Sequence, residues 1–341
     1  WYLSAVNMYS ILPVWDVSLS VDFQYNKLNA VMRGVGTPFT FPQRYTTWAA
    51  LATALNLGKW KLQADVLGTF VIEKVRNNVE APDKSEFSPA LIVGYKPFSN
   101  QDLNLRAFYK RIFRLPTFND LYYAQIGFSQ LNPEFTNQFN IGGSYQKTFK
   151  TGMIDRIALQ MDVYYAAITD KIIAAPTGSS FRWMMTNMGK VESKGVDVST
   201  AVSGHVGLLK LHTNLAYSFT KAQDFTKING KKLSSYGDQI PYTPWHSGSV
   251  IAGAEYGTWA LNYSFIYVGE RYNGAVNNIP RNYVEPWYTH DFSLQKEFRI
   301  RSRYLLKASV EMNNALNQNY DVVLNYPMPG RNFRFVIGFS L

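Results

Sequence analysis

The sequence predicts an all-β protein, an antiparallel transmembrane β-barrel. Three observations carry that reading. Apolar residues alternate with period two along the whole chain, the connections alternate between short and long, and the composition is rich in aromatics and poor in charge. Of 341 residues, 16% are aromatic and only 17% are charged, where an ordinary soluble domain carries about 25% charged residues. No run of 18 apolar residues occurs, so a membrane-spanning helix is excluded. The absence of cysteine removes a disulfide framework, a Cys-ligated zinc site and a thiol nucleophile.

The period is plainest in four stretches. Over 16–26, Val17, Leu19, Val21, Phe23 and Tyr25 alternate with Asp16, Ser18, Ser20, Asp22, Gln24 and Asn26. Ile157, Leu159, Met161, Val163 and Tyr165 form a second such face, and Leu209, Leu211, Thr213, Leu215, Tyr217 and Phe219 a third. At the end of the chain Phe333, Phe335, Ile337, Phe339 and Leu341 alternate with Arg334, Val336, Gly338 and Ser340. Fifteen strands are expected, at 1–11, 15–28, 43–57, 59–77, 87–97, 102–115, 135–148, 154–171, 189–203, 207–222, 244–256, 258–271, 285–299, 303–317 and 333–341.

Short connections fall at 12–14, 58, 98–101, 150–153, 204–206, 257 and 301–302. Long ones fall between them, at 29–42, 78–86, 116–134, 172–188, 223–243, 272–284 and 318–332. A membrane barrel sorts its loops in this way, with tight turns on the inner side and long loops outside. Lipid offers the backbone no water, so a spanning sheet must satisfy its own peptide groups. The apolar face is then the lipid face, and Asp22, Asp65, Asp162, Lys210, His212, Glu311 and Arg334 are expected on a polar lumen wall. Fifteen is odd where single-chain bacterial barrels have even counts. The expectation is therefore one barrel domain over 1–341, the C-terminal part of a larger barrel whose first strands are absent.

Several motifs resemble one family. The run Phe113, Arg114, Leu115, Pro116, Thr117, Phe118, Asn119, Asp120, Leu121, Tyr122 is followed by Leu131, Asn132, Pro133, Glu134. Further on stand Asn187-Met188-Gly189 with Gly195-Val196-Asp197, Ile240-Pro241-Tyr242-Thr243-Pro244-Trp245-His246, Asn313-Asn314-Ala315-Leu316-Asn317, and Tyr326-Pro327-Met328-Pro329-Gly330-Arg331. In this order, over some 230 residues, they resemble the C-terminal barrel of TonB-dependent outer-membrane transporters, especially those of the Bacteroidetes type. The resemblance implies a barrel of 22 strands around a plug, with plug and TonB box outside these residues. It implies a bacterial outer-membrane location and active import of a scarce nutrient: cobalamin first, then haem or a ferric siderophore. It also implies as partners the TonB energy-coupling complex, outer-membrane lipid and lipopolysaccharide, a small nutrient ligand and, for some members, a surface lipoprotein. A passive porin is the alternative.

No enzymatic constellation emerges. His205, His212, His246 and His290 lack ligand spacing, and no nucleophile or paired carboxylate stands out, so neither a metal nor a cofactor is expected. The net charge of +10 is spread along the strands without stacking aromatics between the cations, which argues against nucleic acid. Recognition is assigned to the long loops. The candidates are Phe118, Tyr122, Tyr123 and Phe128, then Arg182 and Trp183 beside Phe181, Met184 and Met185, and finally Arg271, Tyr272 and Tyr326.

Overall fold

A computed structural model describes residues 1–29, 39–77, 79–123, 126–176, 183–300 and 304–340. Fifteen strands form a single sheet in strict chain order, each antiparallel to the next. They are Tyr2–Leu12, Trp15–Lys27, Gln43–Leu57, Trp60–Lys74, Lys84–Tyr95, Asp102–Arg114, Glu134–Thr148, Ile154–Pro176, Trp183–Val206, Leu209–Asp224, His246–Tyr256, Trp259–Val268, Trp287–Ile300, Tyr304–Asn313 and Asn332–Ser340. Such a meander places every second connection at the same end, so the tight turns gather at one rim and the long loops at the other. At the tight rim Gly58, Gly207 and Gly257 take φ of +62°, +61° and +58°. Two-residue hairpins need this left-handed conformation at their first turn position, and glycine adopts it without strain.

Register fixes the two faces, because directly paired residues share a face. On the lumen side Arg106 pairs with Gly142, Gly142 with Asp162, Asp162 with Asp197 and Asp197 with Ser218. Further round, His212 pairs with Gly253, Gly253 with Asn262, Asn262 with Ser293, Ser293 with Glu311 and Glu311 with Arg334. Asp22 pairs with Trp48, and Lys210 with Glu255. The opposite face reads Leu19–Leu51–Val66 and Leu294–Val310–Phe335 in the same manner, and all six side chains are exposed. Apolar side chains exposed in rows are what a lipid-facing wall requires.

Aromatics bracket that wall. Trp60 stacks on Tyr95 near the tight-turn rim with ring centroids 4.3 Å apart, and Phe70 packs edge-on against Phe87 near the other. Ten residue steps separate Trp60 from Phe70. At about 3.3 Å per residue and a tilt of about 40°, they span roughly 25 Å, the height of an apolar barrel band.

The sheet does not close. Strands Tyr2–Leu12 and Asn332–Ser340 each pair on one side only, with no ladder between the Val6 and Phe335 regions. An open edge leaves a row of backbone groups unpaired, which hydrocarbon does not tolerate.

In two places the strand boundaries depart from the sequence reading by four residues or more. The expected loop 172–188 is largely strand: pairing runs on from Lys171↔Met188 to Pro176↔Trp183 as a two-stranded ribbon beyond the neighbouring strands. A ribbon in water has no lipid face, so period two is not imposed on it. Ile172, Ile173, Ala174 and Ala175 accordingly read as an unpatterned run. The expected strand 303–317 stops at Asn313 because Asn314 has φ +49°. The Asn314 side chain turns the chain there, donating to the carbonyls of Gln318 (2.8 Å) and Pro329 (3.3 Å).

Candidate functional site

The long loops on the Arg44–Ile172 side build a small core of their own above the barrel. Thr117 caps the five-residue helix Phe118–Tyr122: its hydroxyl accepts from Asp120 N, while the Asp120 carboxylate accepts from Thr117 N. This capping box presents Leu121 and Tyr122 on one side. They pack with Ala81, Leu131 and Ile172, with Val75, Phe118 and Met185 against them. Three loops thus share one apolar centre.

Ion pairs anchor this cluster to the wall. Arg44 pairs with the buried Glu73, donates to the carbonyl of Pro116 (2.8 Å) and lies over the Phe118 ring (5.0 Å). Arg114 lies 3.2 Å from Glu134 and 3.8 Å from Asp120. Glu134 also accepts from the Ile172 amide at 3.0 Å, which fixes the base of the ribbon. The ribbon is held from above where Met185 N donates to Ile126 O (2.8 Å).

The expected ligand contacts separate by exposure. Tyr123, Phe128 and Tyr326 are 54%, 46% and 63% exposed, free to meet a ligand. Tyr122 is turned inward instead. Its ring belongs to the loop core, its hydroxyl accepts from Ala81 N at 3.2 Å, and burial pushes its pKa up. Phe118 is half-buried under Arg44, and Tyr272 packs edge-on against Tyr283 in a short hairpin. Arg271 is buried and donates to the carbonyls of Gly269 (3.3 Å) and Asp321 (2.8 Å), tying two loops together; desolvation lowers its pKa. Tyr122 and Arg271 are therefore loop-building residues and offer no surface to a ligand. Arg182 and Phe181 lie outside the described residues, as does the Trp183 side chain.

Beneath the cluster, the outer half of the lumen wall holds a concavity of about 590 Å³ lined by Trp48, Asp65, Thr69, Ser88, Lys110 and Arg114 among others. Sequence reasoning passed over Trp48, Lys110 and Arg114. The available signal was their parity, since all three fall on the lumen side near the long-loop ends of their strands. Lys110 lies over the Phe108 ring (4.9 Å) and makes no ion pair among the described residues. Also among the described residues, no cluster of His, Asp or Glu has metal-binding geometry.

A membrane-type wall with one polar face, and a loop cluster raised over a polar concavity at one rim, define a receptor-like barrel. The profile of the family "TonB dependent receptor-like, beta-barrel" matches residues 7–315, and the chain belongs to that family. Solved structures share its fold. The unliganded ferric citrate transporter FecA superposes with TM-score 0.70 at 15% identity, covering 99% of this chain and 53% of its own. The FrpB iron transporter from Neisseria meningitidis (F3-3 variant) gives 0.68 at 14%, covering 97% and 53%. BauA, the ferric preacinetobactin receptor from Acinetobacter baumannii, gives 0.68 at 13%, covering 98% and 53%. The chain spans about half the length of these structures.

Proposed function

We propose that this chain is the larger part of the barrel of an outer-membrane active importer, and that its cargo is an anionic chelate of a scarce metal, a ferric chelate first. The carrying observation is the outer mouth, where Tyr123 and Phe128 stand exposed above a lumen concavity that holds Trp48 and Lys110, whose ammonium makes no ion pair among the described residues. Aromatic surface and an ammonium without a carboxylate partner among the described residues suit a compact anionic complex with planar groups. FecA is named for ferric citrate, BauA for ferric preacinetobactin and FrpB for iron, which supports placing a ferric cargo ahead of cobalamin. The open edges at Tyr2–Leu12 and Asn332–Ser340 call for further strands to close the wall, and pairing them would complete the lumen.

Import by this reading draws on no covalent chemistry in the wall. Cargo binds at the loops and lumen mouth, and energy from the TonB complex, acting on the plug of the intact protein, opens the path.

Uptake by cells carrying the intact protein tests this. Ferric citrate and a catecholate siderophore serve as probes, with cobalamin as comparison, in the presence and absence of TonB. Uptake of a ferric probe is expected to saturate and to require TonB. Replacing Tyr123 and Phe128 by Ala is expected to weaken capture on the order of tenfold to a hundredfold while assembly is unchanged. Uptake that does not saturate, ignores TonB and ignores the double substitution would mark a passive channel.

A further inference from the structure

The lumen side of the wall distributes its cations unevenly. Arg106, Lys110 and Arg114 all stand on the lumen side of the one strand Asp102–Arg114, at every fourth residue. Among the described residues, no other strand of the wall carries more than one lysine or arginine on that side. Phe108 and Ile112 fill the positions between the three. Four residues span about 13 Å of strand, so the cations run from the long-loop rim into the inner half of the wall. The strands on either side leave this stripe open. Lys110 is flanked in register by Ala90 and Gln138, and Arg106 by Gly94 and Gly142, none of them charged. On the far side of Gly94 stands Lys61.

The three cations differ in how far the wall's own carboxylates satisfy them. Acids crowd the rim: Arg114 lies 3.2 Å from Glu134 and 3.8 Å from Asp120, and Glu86 stands near it, opposite Thr69. Lys110, in the same concavity as Arg114, is the first cation without an ion pair; the one acid in that lining, Asp65, stands two strands away behind Ala90. Arg106 Nη2 reaches both Asp162 oxygens, yet 40% of the Arg106 side chain stays exposed to the lumen. Below it the strand ends on Asn104 and Asp102, which bond to each other at 2.8 Å, so no cation follows. A path for anions needs sites strong enough to admit them, yet several and weak enough to pass them on. An open lysine followed by an arginine with its own carboxylate meets that need. When an anion leaves Arg106, Asp162 takes the guanidinium back, and departure leaves no charge unpaired.

We infer that the lumen side of the strand Asp102–Arg114 is the track along which a multiply charged anionic chelate descends, from Arg114 and Lys110 at the mouth to Arg106 in the inner half. The inference rests on the import reading above and deepens it by placing the route on one strand of the fifteen. Carboxylate or catecholate oxygens of the cargo accept from the three cations in turn. Lysine and arginine swing along the strand on flexible stems, which shortens each step.

Cells carrying the intact protein separate capture from descent, with ferric citrate and a catecholate siderophore as probes. Surface binding is measured without TonB and uptake with it, at matched outer-membrane levels of each variant. Arg106→Gln/Asp162→Asn replaces the inner ion pair by an uncharged one. It is expected to bind the probe as wild type does and to import it on the order of tenfold more slowly, the weight of one charge-assisted hydrogen bond. Gly94→Asp leaves that pair in place and sets a carboxylate between Arg106 and Lys61, where a Cβ meets nothing closer than 3.6 Å. A similar slowing is expected, whereas the uncharged Gly94→Asn should import at the wild-type rate. So should Glu311→Gln/Arg334→Gln, which removes a lumen ion pair on distant strands. Wild-type uptake in both the Arg106 double variant and Gly94→Asp would overturn the track. Surface binding that falls as far as uptake in the double variant would also overturn it, by making Arg106 part of capture, and equal slowing in the Glu311/Arg334 variant would overturn its assignment to this strand. Wild type that imports neither probe with TonB overturns the import reading and the track together, whereas equal import by wild type and variants overturns the track alone.

Discussion

The wall and the loops must satisfy the same backbone groups by different means. A buried amide or carbonyl needs a partner wherever it lies. In the wall the neighbouring strand supplies it, through fifteen strands in unbroken antiparallel order. Above the rim, individual side chains supply it. Gln239, wholly buried, accepts from Ala222 N (2.9 Å) and donates to the carbonyls of Thr220 (2.9 Å) and Thr243 (3.2 Å). Asn187 donates to the carbonyls of Asp170 (2.7 Å) and Asn132 (3.1 Å). Asp224 accepts from Thr226 N and Ser235 Oγ. A wall position is therefore specified by which side it faces, whereas a loop-capping position is specified atom by atom.

The largest effect that contrast predicts is at Gln239. Leu in its place keeps the volume and strands one amide and two carbonyls, each costing about 1–3 kcal/mol if left unpaired. Water entering the loop would relieve part of this, so a local loss of about 3 kcal/mol is expected. Hydrogen exchange over 222–243 should accelerate by two orders of magnitude, while the heat unfolding of the barrel stays put. Unaltered exchange in Gln239→Leu would mean that the loop is held by other contacts and that wall and loop do not differ as described.

The next effect lies within the wall. Arg106 Nη2 donates to both Asp162 oxygens at 2.6 Å, reaching across the strand that carries Gly142. A Cβ at Gly142 would stand 2.1 Å from Asp162 Oδ1, whereas one at the next residue, Gly143, would meet Leu105 Cδ2 at 3.2 Å on the lipid side. Gly142→Ala should therefore displace the ion pair and destabilise the wall by about 1–3 kcal/mol, the ordinary cost of forced overpacking. Gly143→Ala should cost less than half as much, because a leucine end in lipid can move. Denaturant midpoints in a common detergent compare them, and equal midpoints would remove the bridging role assigned to Gly142.

The same contrast explains what the sequence made readable. Period two is imposed by lipid on one side and water on the other, so all fifteen strands and the side of each lumen residue, from Asp22 to Arg334, were legible. Where lipid is absent the signal vanishes, which is why the ribbon through Ile172 and Met185 read as a loop. Loop motifs marked the right places without their roles. Tyr122 stood in a family-like run and read as a ligand contact, because only the folded loops show that Ala81, Leu131 and Ile172 surround it. The Thr117…Asp120 cap was present as a capping box and foretells that short helix. Arg44 faces Glu73 in the hairpin register, but nothing local foretells its reach to the carbonyl of Pro116, which lies 72 residues away in the chain.

The smallest expected effect is at Tyr122 and concerns pH. Its phenol is held protonated by burial in the loop core, with the Ala81 amide partly offsetting that shift, so its pKa in the folded protein lies above the ordinary value of about 10. A group with a raised folded pKa contributes its stability fully below the unfolded pKa and loses it as pH rises through the folded one. The loop core should accordingly hold through neutral pH and loosen only from about pH 10 upward. Tyr122→Phe gives up one hydrogen bond to Ala81 N, a loss of about 1 kcal/mol at neutral pH, and removes the titrating group altogether. Tyr242, Tyr283 and Tyr320 are also shifted upward by burial, so alkaline loosening of wild type alone would not identify the residue. The difference between the two proteins does: proteolysis of the 116–134 loop should rise with pH in wild type and stay flatter in Tyr122→Phe, with phenolate absorbance tracking that rise. Parallel curves would place Tyr122 outside the core and return it to the surface as a ligand contact.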